Sequence, residues 1–210
     1  MRVSGSIRFI GAVTALLLMI GTNAPVFAQD ATPVPKHLEL ARELVATVKP
    51  ENNKYVFRGP DGVRWKGDLF TSENTVNTMC TGFVGAMLER AKNPTIKEIE
   101  SKTYWKKYVR MDSYYEAVQK GYGLQKIERL DAVKPGDLYM FMCKINCNTS
   151  EGPALGHVTI VDVKPTQNNP TPPLIDGTLQ WLVTVIHSAD APHAKDDTRW
   201  RPQGEPKASG

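Results

Sequence analysis

Thr78-Met79-Cys80-Thr81-Gly82-Phe83-Val84-Gly85-Ala86-Met87-Leu88-Glu89-Arg90-Ala91 is the stretch from which the rest of the chain is read. Phe83, Val84, Met87, Leu88 and Ala91 recur at helical spacing, with Glu89 and Arg90 off that stripe, so the run predicts an amphipathic helix. Cys80 then falls in its first turn, with Thr78 or Asn77 as the cap and Gly82 admitting a close neighbour. Unpaired N–H groups and the positive end of the helix dipole favour a thiolate at such a place and could hold a developing oxyanion. The same pattern also fits a packing cysteine on an ordinary helix. The residues on either side have to decide between the two.

Before this helix, Lys36 to Val48 reads as another, with Leu38, Ala41, Leu44, Val45 and Val48 on one face and Pro50 and Asn52-Asn53 ending it. His37, near its start, has no partner spaced to share a metal and reads as a solvated side chain. Tyr55 to Asn77 reads as irregular, with Arg58-Gly59-Pro60-Asp61-Gly62 a turn. In this loop Trp65, Phe70 and the Trp65-Lys66-Gly67-Asp68 run could line a cleft or anchor a core.

After the cysteine helix, Asn93-Pro94 reads as a break. Tyr104, Trp105 and Tyr108 could wall a groove, and Asp112 caps a short helix that Gly121 ends. From Leu124 the period becomes that of strands, at Leu124 to Arg129, Asp137 to Cys143, Gly156 to Val163 and Leu179 to Ser188. Helices first and strands after predict an α+β fold, an antiparallel sheet packed on the cysteine helix. Lys164 to Gly177, rich in Pro, Asn and Thr, reads as a surface insertion.

The chain opens with Arg2 and Arg8 flanking an apolar core, Phe9 to Ile20, and closes that segment with Val26-Phe27-Ala28 before Gln29. This is the pattern of an export signal, and no later run approaches the roughly 20 apolar residues a membrane span needs. The expected organisation is a signal peptide at 1–28, a leader and packing helix at 29–54, one catalytic-type domain at 55–201 and a disordered tail at 202–210. Of the formal charge of +4, Arg2 and Arg8 supply two, so the remainder gives no case for nucleic acid. A monomer in the periplasm or outside the cell is expected. Three cysteines in an oxidising compartment leave one unpaired within the chain. Cys143 and Cys147 would lie about 13 Å apart if extended, but a turn at Ile145-Asn146 brings them into disulfide range, leaving Cys80 free.

A thiolate nucleophile needs a base, and His157, His187 and His193 are the candidates. In Gly156-His157-Val158-Thr159-Ile160-Val161, alternation sets His157, Thr159 and Val161 on one face and Val158 and Ile160 on the other. His187 ends Val183-Thr184-Val185-Ile186-His187-Ser188. If the two strands pair, His187 could hold the His157 ring in one tautomer.

Together these residues resemble the NlpC family of papain-like cell-wall cysteine peptidases. The family's Asp-Cys-Ser-Gly-Phe-Val, Pro-Gly-Asp-Leu, Gly-His-Val-x-Ile and polar third position are matched in order. The matching segments are Met79-Cys80-Thr81-Gly82-Phe83-Val84, Pro135-Gly136-Asp137-Leu138, Gly156-His157-Val158-Thr159-Ile160 and Ile186-His187-Ser188. Met79 stands where the family has an acid and Thr81 where it has serine, and no tyrosine closely precedes Cys80. The related CHAP amidases share a Gly-His-Val strand but fit the cysteine run less well.

The resemblance implies a papain-like fold in which Cys80 is the nucleophile, His157 the general base and acid, and His187 the orienting group, with Asp190 or His193 as alternatives for that third role. Trp65, Asp68 and Thr81 would border the substrate groove. It further implies hydrolysis of amide bonds in peptidoglycan stem peptides through a thioester, with no metal or cofactor. A binding module of the same fold without turnover, and an acyl-transferring relative, remain open beside it.

Overall fold

The structure, a computed structural model, describes residues 33–103, 109–142, 148–149, 152–153, 156–167, 177–190 and 198. The expectations for Tyr104, Trp105, Tyr108, the Cys143–Cys147 bridge, His193, the export signal and the tail fall outside them. The chain from Pro33 onward is one compact unit and carries the whole buried core described below.

Helix α1 (Lys36–Thr47) leads into a small sheet of β1 (Asn53–Lys54), β2 (Val63–Arg64) and β3 (Thr75–Asn77). Helices α2 (Cys80–Arg90), α3 (Pro94–Lys102) and α4 (Met111–Lys120) follow. Next come β4 (Leu138–Met142), β5 (Asn148–Thr149), β6 (Gly152–Pro153) and β7 (Gly156–Val161). The last described strands are β8 (Thr166–Gln167), β9 (Trp181–Leu182) and β10 (Val185–Ile186).

Mixed α and β, with four helices among the described residues and an antiparallel sheet in the order β10-β7-β4, is thus the class of fold. Two further short antiparallel pairs are β5-β6 and β8-β9. The first small sheet runs β1-β3-β2, its β1-β3 pair parallel.

Helix α2 is central rather than amphipathic at the surface. Every residue from Cys80 to Leu88 is buried, because α1, α3, β7 and the turn at Pro60–Gly62 all pack on it. Its cap also differs from expectation. Met79 holds the cap position without a side-chain bond, while the Thr78 hydroxyl turns away to donate to the carbonyls of Arg58 and Gly59. Gly82 is what permits this seat: a Cβ there would stand 2.1 Å from Thr78 Oγ1 and 2.6 Å from the Arg58 carbonyl oxygen.

Several other expectations need correction. His37 is buried, not solvated, and its Nε2 lies 2.7 Å from the Gly136 carbonyl oxygen. Val45 is 44% exposed, and Leu40 takes its place in the core because α1 is rotated toward the 37–38–41–44 face. Asn93-Pro94 starts a helix as well as ending one: the Asn93 side chain accepts from the Thr95 N–H at 3.0 Å and caps α3.

Helix α4 begins at Met111 with Arg110 at its cap, and Asp112 accepts from the neighbouring Ser113 N–H. Leu124 to Arg129 forms no strand, and Leu179 to Ser188 is split into β9 and β10. Thr166 and Gln167, inside the expected insertion, pair with β9. Gly121 ends α4 in the left-handed conformation, φ 71°, and Pro135-Gly136-Asp137 turns into β4 as expected.

Candidate functional site

The site is built on the pairing of β10 with β7. Val185 faces Val161 and Ile186 faces Ile160 in antiparallel register. One residue further, His187 comes across from Thr159 and diagonal to His157, so the two imidazoles share a sheet face. They meet edge to face, ring centroids 4.9 Å apart, with His157 Nε2 2.6 Å from His187 Nδ1. The pairing expected of the two strands is therefore present. Asp190 lies past the end of β10 and is exposed.

Phe141 lies opposite His157 on β4, its ring centroid 6.0 Å from the imidazole. Gly156 sets the approach of this corner: with φ 138°, a Cβ there would come within 2.2 Å of the Phe141 carbonyl oxygen.

Helix α2 brings the sulfur to the same strand. Cys80 is a free thiol, 5% exposed. Burial pushes it above its ordinary value of 9.0, against the N–H groups of Val158, Thr81 and Cys80 itself, which pull it down. Two consequences follow. The sulfur sits against the backbone one residue beyond His157, and two helix N–H groups point toward it. The helix-terminal N–H groups pull in the direction the sequence suggests, but desolvation outweighs them and holds the Cys80 thiol above its ordinary value.

The histidine strand and the cysteine helix are tied directly. Ser188 Oγ, next to His187, donates 2.8 Å to the Thr78 carbonyl oxygen, two residues before Cys80, in a buried bond. A cleft of about 400 Å³ opens beside this tie, lined by Asn53, Tyr55, Ile186, His187 and Ser188 among others.

Of the other residues read as site candidates, Thr81 is buried on α2 with its hydroxyl unpartnered. Trp65 and Asp68 are drawn to the other end of α2. Arg90, its last residue, reaches Asp68 at 2.9 Å and lies 5.0 Å over the Trp65 ring, about 15 Å along the helix from Cys80. Trp65 belongs to the same buried core as Cys80, whereas Phe70 is fully displayed rather than part of a core.

Sequence reasoning missed Ser188, whose role depends on a long-range bond that no local pattern announces. It also missed Tyr114 of α4, fully buried with an unpartnered hydroxyl; burial first, and then negative charge at Cys80, pushes its phenol well above the ordinary value. Among the described residues no group of three or more His, Cys, Asp or Glu is placed to hold a metal ion, and no helix is long and apolar enough to cross a membrane.

No protein-family model matches the chain, and no solved structure matches it. It is similar to an uncharacterized protein of Acanthamoeba polyphaga mimivirus, 25% identical over 187 residues that cover 84% of this chain and 79% of the viral protein.

Proposed function

We propose that the chain is an exported cysteine hydrolase of papain-like design, acting on amide bonds of peptidoglycan stem peptides. The observation that carries the reading is the His157–His187 contact across β7 and β10, with the Cys80 sulfur against the backbone of the next residue, Val158. The substrate class rests on the resemblance of four ordered segments to the NlpC peptidases, and export on the Arg-flanked apolar leader.

The contact dictates how the proton would move. For His157 to accept the Cys80 proton at Nδ1, that nitrogen must be unprotonated, so Nε2 carries hydrogen and donates to His187 Nδ1, leaving His187 protonated on Nε2. Because burial favours the thiol, His157 takes the proton as the sulfur attacks rather than beforehand. The acyl group passes to sulfur, the imidazolium returns its proton to the leaving amine, and water then releases the acid with His157 again as base. The N–H groups of Cys80 and Thr81, which meet the sulfur at the start of α2, would serve as donors to the oxyanion in this reading.

Incubation with purified peptidoglycan, followed by mass spectrometry of soluble fragments, tests this. Fragments that appear with the wild type and vanish with Cys80→Ala support it; equal fragments from both reject Cys80 as nucleophile. The burial of the sulfur favours a second reading, a cell-wall binding module without turnover. Co-sedimentation with peptidoglycan and no fragments from either protein would select it.

A further inference from the structure

Away from Cys80, the loop from Trp65 to Thr71 is closed on itself. The Asp68 N–H donates to the Trp65 carbonyl oxygen at 3.0 Å, the Thr71 N–H to Asp68 at 2.9 Å and the Gly67 N–H to Thr71 at 3.0 Å. The Lys66 N–H donates to the buried side chain of Asn74 at 2.6 Å, and Arg90 clamps Asp68 and Trp65 from α2. A loop this well braced would ordinarily turn its apolar side chains inward. Instead Leu69 is 81% and Phe70 96% exposed.

Phe70 moreover sits at φ 61°, a left-handed conformation that aromatic residues rarely adopt. A rigid frame thus holds two apolar groups out into water, and nothing else in the described chain covers them.

The charge around this tip selects the partner. From β2 onward Val63 and Trp65 are buried while Arg64 and Lys66, which lead into the loop, face solvent, and Glu73 just beyond it is paired with Lys49. Asp68, the acid within the loop, is neutralised by Arg90. Two side chains are far too little for a protein interface of about 800 Å² per partner. They are enough to enter the boundary between lipid headgroups and acyl chains while cations bind the surrounding phosphates.

We propose that the Leu69–Phe70 tip, with its Arg64 and Lys66 collar, docks the protein on the surface of an anionic lipid bilayer. This does not depend on the chemistry of Cys80. Flotation of the chain from Pro33 with phosphatidylcholine vesicles, with and without phosphatidylglycerol, tests it. The wild type is expected to float with the anionic vesicles and to be released by salt. Phe70→Ser should weaken binding about tenfold and Leu69→Ser/Phe70→Ser further, while thermal unfolding stays unchanged. Arg64→Glu/Lys66→Glu should abolish the preference for the anionic lipid. Wild type that stays with the soluble fraction, or binding untouched by the double serine variant, would overturn the proposal. So would vesicle-free self-association that the same variant removes, since the tip would then join two copies of this chain.

Discussion

At the scale of single residues, the sulfur of Cys80 gives the sharpest test. Burial raises it, so between the ordinary thiol value of 9.0 and the higher folded value the unfolded chain has lost this proton while the native chain keeps it. Stability contributed by the buried thiol is therefore present below that window and declines as pH rises through it. Urea denaturation of wild type and Cys80→Ala across pH 7 to 10.5 should show any advantage of the wild type shrinking toward the alkaline end.

The same burial predicts slow alkylation by iodoacetamide at neutral pH, and a further fall with His157→Ala if the imidazole assists. A rate indifferent to His157 would leave Cys80 a packing residue. Tyr114 makes the complementary case: its hydroxyl is buried without a partner, so Tyr114→Phe removes an unmade hydrogen bond and no packing. Denaturation should find the variant more stable by up to about 1 kcal/mol.

Among the elements, α2 separates what helix propensity dictates from what its surroundings dictate. Gly82 and Gly85 both lie in the helix interior, where alanine is ordinarily better by about 1 kcal/mol. At Gly85 the nearest atoms to an added Cβ are 3.8 Å away on Pro60 and Tyr114, ordinary contact, so Gly85→Ala should raise stability by about 0.5–1 kcal/mol. At Gly82 the same methyl strikes Thr78 Oγ1 and the Arg58 carbonyl, and Gly82→Ala should cost about 2 kcal/mol or more. Opposite signs in paired melts would establish that the Thr78 seat, not the helix itself, fixes glycine there.

This element also marks how far the sequence could be read. The apolar period of Phe83 to Leu88 is intrinsic and predicted the helix, and the alternation in Gly156 to Val161 predicted its strand. Whether α2 lay at the surface or in the middle depended on four other segments converging on it, which no period within the helix encodes. Leu124 to Arg129, expected as a strand, carries apolar residues only at Leu124 and Ile127, three apart rather than two, and forms none. Both histidines were legible as residues, whereas their contact required the β7–β10 register that follows the insertion. The raised thiol was illegible for the same reason: burial is a property of the assembled core.

Over the whole molecule, the helical and sheet portions are held in register by a few long-range polar ties laid over the apolar core. Arg42 of α1 donates from Nε to Asp162 Oδ1 at 2.7 Å and from Nη2 to the Asp162 carbonyl oxygen at 2.6 Å, just past the end of β7. Ser188 donates to Thr78 from just past the end of β10. The first fixes β7 to the outer helix; the second fixes β10 to the segment leading into Cys80. Only the second lies on the path between the sulfur and His187.

Ser188→Ala leaves a buried carbonyl without its donor, which should cost about 1–2 kcal/mol. Arg42→Ala loosens a half-exposed tie instead. If the geometry at Cys80 depends on the β10 connection, the two variants will differ in kind. Ser188→Ala should change the neutral-pH alkylation rate of Cys80 at temperatures where circular dichroism still reports a folded chain, and Arg42→Ala should leave that rate unchanged. Equal rates in both variants and the wild type would mean that apolar packing of α2 on β7 alone sets the sulfur, and that the Ser188 bond only stabilises the fold.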